Sequence, residues 1–132
     1  MNAPKSPSMR TPLARVRSLG SSHSGTSDFW RQRLTAVAMT VLIVPVIVVV
    51  LMLIGRNQAF AKQTFSSLPI AIIMLLFIVA SAWHMKIGMQ VVIEDYVQAE
   101  TLKLVAIMAN NFFSFAVALA SIYAIFKLSS GV

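Results

Sequence analysis

Residues 81–96 read SAWHMKIGMQVVIEDY, a stretch that joins a long apolar run to the densest acidic part of the chain. His84 lies in the apolar part, with Ala80 and Gly88 one helical turn before and after it. Tyr96 follows two carboxylates where the run meets polar residues. An ionisable ring at membrane depth marks a functional site by default, because lipid penalises it. The stretch therefore predicts a membrane helix with a functional histidine inside it.

The whole chain is too apolar for a small soluble domain. Of its 132 residues, 58% are hydrophobic and 11% are charged, whereas soluble domains have about 45–50% apolar and about 25% charged residues. A soluble fold of this size could not bury so much apolar surface, so we expect lipid to be its solvent. The sequence has no cysteine, which excludes disulfides, thiolate metal sites and iron–sulfur ligation by this chain.

Three uncharged runs predict an all-α fold with three transmembrane helices. They cover residues 34–54, 63–85 and 104–126, and about 20 apolar residues in a helix cross a bilayer. Pro45 in the first run predicts a kink. The expected helices are at about 30–54, 67–93 and 102–127, within an anchor at 28–127, with polar loops at 55–67 and 94–101 and a short C-terminal end at 128–132.

Residues 1–27 predict a flexible basic tail. The segment is rich in Ser, Pro and Arg and has few large apolar residues, so burial cannot offset the entropy of ordering it. A mitochondrial transit peptide is the alternative, because the segment has no acidic residue. A secretory signal ending at Ala61 is excluded by the length of the apolar run before it. Nucleic-acid binding is disfavoured because no aromatic residues interleave with the basic ones.

Basic residues are concentrated at one end of the chain, and this asymmetry predicts the orientation. Six of the eleven Lys and Arg residues precede residue 34, whereas the first loop has two and the second has one, or two with Lys86. Short flanking segments with the most Lys and Arg stay in the cytoplasm. We therefore expect the N-terminus and the 94–101 loop to face the cytoplasm and the C-terminus to face the other side.

Two interpretations of His84 are open from the residues alone. The ring is expected about 15 Å from the cytoplasmic end of its helix, near the bilayer midplane. It is either an axial haem ligand, in a trough cleared by its small neighbours, or a neutral histidine bonded to another helix. The other histidine of the chain, His23, lies in the tail, so a second axial ligand would come from another chain. Lys86 is predicted to point away from His84 and to snorkel towards the headgroups.

Two residues at the end of the same helix could take part in chemistry. Asp95 follows His84 by eleven residues, close to three full turns, and so shares its face. Tyr96 lies about 18 Å from His84 along the axis if the helix persists. It offers a phenol at the membrane border, although an interfacial aromatic anchor would look the same.

The third helix carries a stripe of small and polar residues, which predicts a helix-packing seam and a partner subunit. The stripe consists of Asn110, Ser114, Ala118 and Ser121.

The pattern formed by His84, Gly88, Glu94, Asp95 and Tyr96 resembles the haem- and quinone-site segment of the small membrane-anchor subunit of succinate dehydrogenase, respiratory complex II. The stretch DFWRQRLTA at residues 28–36 resembles the start of the first helix in the same family. The resemblance covers about residues 28–127. It is closest to alphaproteobacterial members, which favours a bacterial inner membrane over the mitochondrial inner membrane.

The resemblance implies a role for each matching position. His84 corresponds to the axial ligand of haem b, shared with a histidine of the large, cytochrome b anchor subunit. Arg33 corresponds to a basic residue near the haem propionates, Tyr96 to the tyrosine that hydrogen-bonds a ubiquinone carbonyl, and Asp95 to its acidic neighbour. The implied partners are that large subunit, an iron–sulfur subunit and a flavoprotein subunit. The FAD and the iron–sulfur clusters belong to the latter two.

The chain would then have no activity alone and would act in electron transfer from succinate to quinone, in the tricarboxylic acid cycle. Two other functions stay open. One is a small structural or regulatory membrane protein without a cofactor, in which His84 and Tyr96 only pack. The other is the anchor of a fumarate reductase, which runs the same chemistry in the opposite direction.

Overall fold

A computed structural model of the chain describes residues 11–13 and 24–130. The latter range contains no strand and folds into four helices. They are α1 (Ser24–Leu53), α2 (Gln58–Ser66), α3 (Leu68–Tyr96) and α4 (Glu100–Ser129). Helices α1, α3 and α4 are long and apolar enough to cross a membrane, which confirms the predicted all-α fold with three transmembrane helices. Most of the expected tail at 1–27 lies outside the described residues, but its last four residues already belong to α1.

Helix α1 continues past Pro45 and ends two residues before Gly55. Pro45 lies inside the helix without ending it. Gly55 has a φ of 72°, a left-handed conformation that only glycine adopts without steric cost. Its position just after the helix lets the Arg56 N–H donate to the Leu53 carbonyl at 3.1 Å, so one otherwise unpaired carbonyl is satisfied.

The expected loop at 55–67 contains the short helix α2, so the loop prediction was wrong there. The Asn57 side chain caps this helix by accepting a hydrogen bond from the Phe60 N–H at 2.9 Å. Phe65 is buried and packs with Val49 and Ile125, which ties α2 to the ends of two transmembrane helices. A helix of only nine residues with a mixed composition has no long apolar run, so the pattern of uncharged runs does not predict it.

The second loop is shorter than expected, because α3 continues through Tyr96 and only residues 97–99 connect it to α4. The Lys103 ammonium group donates to the Glu94 carbonyl at 3.0 Å. A cation on the last carbonyls stabilises the C-terminus of a helix. Polar composition alone had suggested a loop over 94–101, but Glu94 and Asp95 remain helical.

Helix α3 lies between its two long neighbours and packs on α1 and on α4. In the predicted seam of α4, Asn110 and Ser114 are buried, and the Asn110 amide donates to the Lys86 carbonyl of α3 at 2.9 Å. This part of the stripe therefore packs within the chain and gives no argument for a partner subunit. The α1–α3 contact on the other side of α3 holds the histidine.

Candidate functional site

The imidazole of His84 lies between α3 and α1 and is half-buried. Its Nδ1 atom is 3.1 Å from Oγ1 of Thr35, and its Nε2 atom is 3.4 Å from the amide nitrogen of Gln32. Both partners belong to α1. In the isolated chain, His84 is thus a histidine bonded to a neighbouring helix, which was one of its two interpretations. These contacts do not decide whether one nitrogen also binds iron.

The Gln32 side chain fills the space beside Gly88 that was expected to be an open trough. A Cβ atom on Gly88 would lie 3.4 Å from the Gln32 amide nitrogen, so the amide lies directly beside the glycine. The Oε1 atom of Gln32 is buried and has no hydrogen-bond partner among the described residues. This amide is held weakly, because its nitrogen has only one long contact and its oxygen has none. A stronger ligand for Nε2 of His84 could therefore displace it.

A groove of about 450 Å³ opens beside this site, between the first turns of α1 and the last turns of α3. Its volume is within the roughly 300–1,000 Å³ of typical ligand pockets. Gln32 borders the groove as well as His84, which makes the two sites neighbours. The groove is lined by Asp28, Phe29, Gln32, Arg33, Ile87, Gln90, Val91 and Glu94.

Arg33 supplies a cation to the groove. Its guanidinium group lies 4.5 Å from the centre of the Phe29 ring, a cation–π contact that leaves the N–H groups available. Arg31 differs, because it lies 3.6 Å from the carboxylate of Asp28. Within residues 24–130, no carboxylate forms an ion pair with Arg33, so its guanidinium group could pair with an acidic ligand, although Asp28 and Glu94 also line the groove.

Asp95 and Tyr96 occupy the last turn of α3, at its border with the short connection. Because α3 is continuous between His84 and Tyr96, the two residues are about 18 Å apart along the helix axis. Tyr96 is 80% exposed, and neither side chain has a hydrogen bond to another described residue. Arg33 and His84 thus lie on the same pair of packed helices, α1 and α3. The side chains of Asp95 and Tyr96 lie apart from them and can contact a group outside the chain.

The donor set fits a haem better than a protein-bound metal ion. The described residues contain no group of three or more His, Cys, Asp or Glu side chains that could hold a metal. A haem iron already has four macrocycle nitrogens and needs few protein ligands, of which histidine is a common one, so His84 alone could be this chain's contribution. One imidazole with a weakly held neighbour, beside a groove with a free guanidinium group, provides what this chain would need to contribute.

Lys86 faces away from this site, as its position on the helix predicted. It is half-buried and lines a cavity of about 340 Å³ between α3 and α4, together with Asn111 and Ser114. Its carbonyl, rather than its ammonium group, has the hydrogen bond that joins the two helices.

Sequence reasoning missed Thr35 and Gln32. Both lie in the stretch that resembled the start of the family's first helix, but no local pattern marks them. A threonine and a glutamine near the start of a membrane helix are ordinary, and their importance comes only from the register of α1 against α3.

Comparisons with known proteins agree with the resemblance drawn from residues 84–96. The sequence model of the family described as succinate dehydrogenase/fumarate reductase transmembrane subunit matches residues 7–118. The succinate dehydrogenase hydrophobic membrane anchor subunit of Paracoccus denitrificans is 35% identical over 121 residues, 92% of this chain and 93% of that protein. The subunit of the same name from Rickettsia bellii (strain RML369-C) is 30% identical over 123 residues, 89% of this chain and 94% of that one.

A third relative gives the same result over a shorter stretch. The succinate dehydrogenase membrane anchor subunit of Reclinomonas americana is 32% identical over 89 residues, 64% of this chain and 72% of that protein. No solved structure matches the chain. The family match covers most of the chain, and two relatives align over nearly their whole length, so the chain belongs to the family of succinate dehydrogenase and fumarate reductase transmembrane subunits.

Proposed function

We propose that this chain is the small membrane anchor of a succinate dehydrogenase, that it gives His84 to haem b as an axial ligand, and that it gives Tyr96 to a quinone-reduction site. Family membership and three membrane-crossing helices support the anchoring role. The relatives named above are all succinate dehydrogenase subunits, which favours this direction of the chemistry over fumarate reduction.

The observation that carries the haem proposal is the half-buried His84 imidazole between α1 and α3, beside a groove with an unpaired Arg33. His84 would be the residue of this chain that holds the haem iron. Since His23 lies in the N-terminal segment, the second axial histidine comes from the large cytochrome b subunit. When bound, the haem supplies one-electron redox chemistry at membrane depth.

Arg33 contributes a charge partner for the haem propionates. A guanidinium group can donate two parallel hydrogen bonds to a carboxylate. Its position in the groove, near the headgroup end of α1, suits two carboxylates that extend from the macrocycle towards water. The Phe29 ring beneath the guanidinium group limits its freedom, which lowers the entropy lost when it binds.

Tyr96 contributes a hydrogen bond to a ubiquinone carbonyl oxygen. Quinone reduction adds two electrons and two protons, so negative charge develops on that oxygen. A positioned phenol stabilises the charged state more than the resting quinone, and this difference raises the rate. Asp95, one residue earlier at the same border, is proposed to orient the phenol or to relay protons.

The remaining parts of the reaction belong to partner subunits. The flavoprotein subunit with its FAD, the iron–sulfur subunit and the large cytochrome b subunit complete the complex in the bacterial inner membrane. The concentration of Lys and Arg before residue 34 supports an N-terminus in the cytoplasm. This orientation places Tyr96 on the side where soluble partner subunits bind.

A reduced-minus-oxidised optical spectrum of the purified complex tests the haem proposal. We expect a b-type band, since the iron has two histidine ligands. A complex that contains this chain and oxidises succinate but has no such band would contradict the haem proposal. The chain would then be an anchor without a cofactor, and His84 would only pack against α1.

A further inference from the structure

We propose that Thr35 is a positioning residue for His84. Its hydroxyl oxygen accepts a hydrogen bond from the Nδ1–H group and so holds the imidazole in the tautomer whose Nε2 lone pair can bind iron. This inference rests on the proposed role of His84 as a haem ligand.

The other hydrogen bonds of Thr35 suit an acceptor role of its hydroxyl towards His84. Its Oγ1 atom lies 2.9 Å from the Arg31 carbonyl oxygen and 3.0 Å from the Gln32 carbonyl oxygen. Carbonyl oxygens only accept hydrogen bonds, and a hydroxyl has one proton to donate. That proton is directed at the carbonyls of α1. With the proton on the α1 backbone, the hydroxyl acts as an acceptor towards His84, 3.1 Å away, which is the arrangement that pairs it with an Nδ1–H group.

The contact on the other side of the ring points to the same tautomer. The amide nitrogen of Gln32 lies 3.4 Å from Nε2 of His84. An amide nitrogen donates and does not accept, so with the amide in this orientation Nε2 presents a lone pair to it. A neutral imidazole has one protonated and one unprotonated nitrogen, and both contacts are consistent with the proton on Nδ1.

The tautomer has a direct consequence for iron binding. A histidine that binds a metal usually donates its other ring N–H to a carboxylate, carbonyl or water, which fixes the ring orientation and raises the basicity of the ligand. The Thr35 hydroxyl takes that place here. Its own bond to the backbone of α1, together with the restricted rotation of a β-branched side chain, fixes the acceptor before haem binds.

A more basic axial ligand stabilises ferric iron more than ferrous iron, so the Thr35 bond lowers the midpoint potential of the haem. Thr35→Val in the intact complex keeps the shape of the side chain and removes the acceptor. We expect about a tenfold loss in the preference for ferric over ferrous iron, which raises the potential by about 59 mV for a one-electron couple. The axial-ligand signal in electron paramagnetic resonance should shift as well.

Two further variants separate the hydrogen bond from simple packing. Thr35→Ser keeps the hydroxyl and should restore the wild-type potential and signal. Thr40→Val is the matched control, because the Thr40 hydroxyl makes a similar bond to the backbone of α1, at 2.9 Å from the Ala36 carbonyl, without contacting His84. It should leave the haem unchanged. If Thr35→Val does not assemble, Thr35→Ala is measured in its place.

His84→Ala distinguishes failure of this inference from failure of the proposed function. If His84→Ala removes the b-type band while Thr35→Val has the wild-type potential and signal, the role of Thr35 is overturned and ligation by His84 stands. If the band is unchanged in His84→Ala, both proposals are overturned.

Discussion

A histidine inside a membrane helix needs hydrogen-bond partners, because lipid offers none. In this chain the need is met by Thr35 and Gln32 of the neighbouring helix. The Thr35 contact is short and consistent with its other bonds, whereas the Gln32 contact is long and leaves Oε1 unpaired. This inequality gives the two ring nitrogens different roles. Nδ1 is tied to Thr35, and the weaker contact of Nε2 makes it the nitrogen that would bind iron in the proposed haem site.

Tyr96→Phe tests whether the chain takes part in quinone chemistry. Assembly, haem content and succinate oxidation with an artificial soluble acceptor should stay near wild type, because phenylalanine keeps the ring. Quinone reduction should slow by up to about a hundredfold, since loss of one donor to a developing oxyanion costs about 2.7–4 kcal/mol in a hydrolase. Steady-state assays with the two acceptors give the comparison.

Tyr123→Phe is the matched control, since Tyr123 is the other tyrosine of the chain and is also exposed. It should leave both activities unchanged. Full quinone reductase activity and unchanged quinone affinity in Tyr96→Phe would reduce Tyr96 to an interfacial anchor.

Arg33→Ala should weaken haem retention during purification without changing the axial-ligand signal, because it removes a propionate partner and no bond to iron. Arg31→Ala is the matched control on the same turn of α1. Arg31 is paired with Asp28, and its loss should leave the haem content unchanged. The measurement is haem per flavin in the purified complexes, and equal haem contents in the two variants would argue against the role of Arg33.

The spacing of His84, Gly88 and Tyr96 could be found in the sequence, because all three belong to one helix with a fixed rise and rotation. Their partners could not. Which residue of α1 faces His84 depends on how α1 is shifted and rotated against α3, and that register comes from packing along the whole interface. The same limit affected Gly88, which was expected to border an open trough and instead contacts the Gln32 side chain.

At the scale of the helices, α3 is bound differently on its two sides. Towards α1 it presents the histidine and the groove, and towards α4 it presents the buried polar contact of Asn110. The three long helices were predictable from uncharged runs, whereas α2 and the length of α3 were not. Helix α2 depends on an asparagine cap and one buried phenylalanine. The last turn of α3 is stabilised by a hydrogen bond from Lys103 of α4 to the Glu94 carbonyl.

Asn110→Ala should weaken the α3–α4 contact, since it removes the amide that donates to the Lys86 carbonyl. Interhelical hydrogen bonds in membranes contribute about 0.6 kcal/mol on average and up to about 1.7 kcal/mol, and we expect a loss in stability of that size. Unfolding of the assembled complex in mixed detergent and dodecyl sulfate micelles measures it.

The neighbouring Asn111→Ala is the control for that measurement. The Oδ1 atom of Asn111 is buried without a hydrogen-bond partner among the described residues, so its removal should cost less than the removal of Asn110. Equal losses of stability in the two variants would show that the Asn110 hydrogen bond does not itself stabilise the complex.

At the scale of the whole molecule, charge and apolar surface together define how the chain lies in the membrane. Most of its net charge of +7 lies before residue 34, while the long helices carry many exposed apolar side chains. These surfaces contact lipid or the transmembrane helices of partner subunits. His84 and Tyr96, at two depths of α3, thus have access to groups that the chain does not contain.

The proposed orientation, with the N-terminus and the α3–α4 connection in the cytoplasm, predicts opposite results for two reporter fusions. Alkaline phosphatase fused after Lys62 should be active, because the α1–α3 connection faces the periplasm. The same enzyme fused after Gln98 should be inactive, because the α3–α4 connection faces the cytoplasm. The reverse pattern would place Tyr96 on the side opposite to the soluble subunits and would rule out the proposed quinone site.

The central claim is that this chain supplies an axial ligand to haem b, and electron paramagnetic resonance of the purified complex with His84→Ala tests it most directly. Loss of one axial nitrogen should abolish the low-spin axial-ligand signal and remove or severely alter the b-type optical band. His23→Ala, which changes the other histidine of the chain, should leave both unchanged. An unaltered axial-ligand signal in His84→Ala would contradict the account.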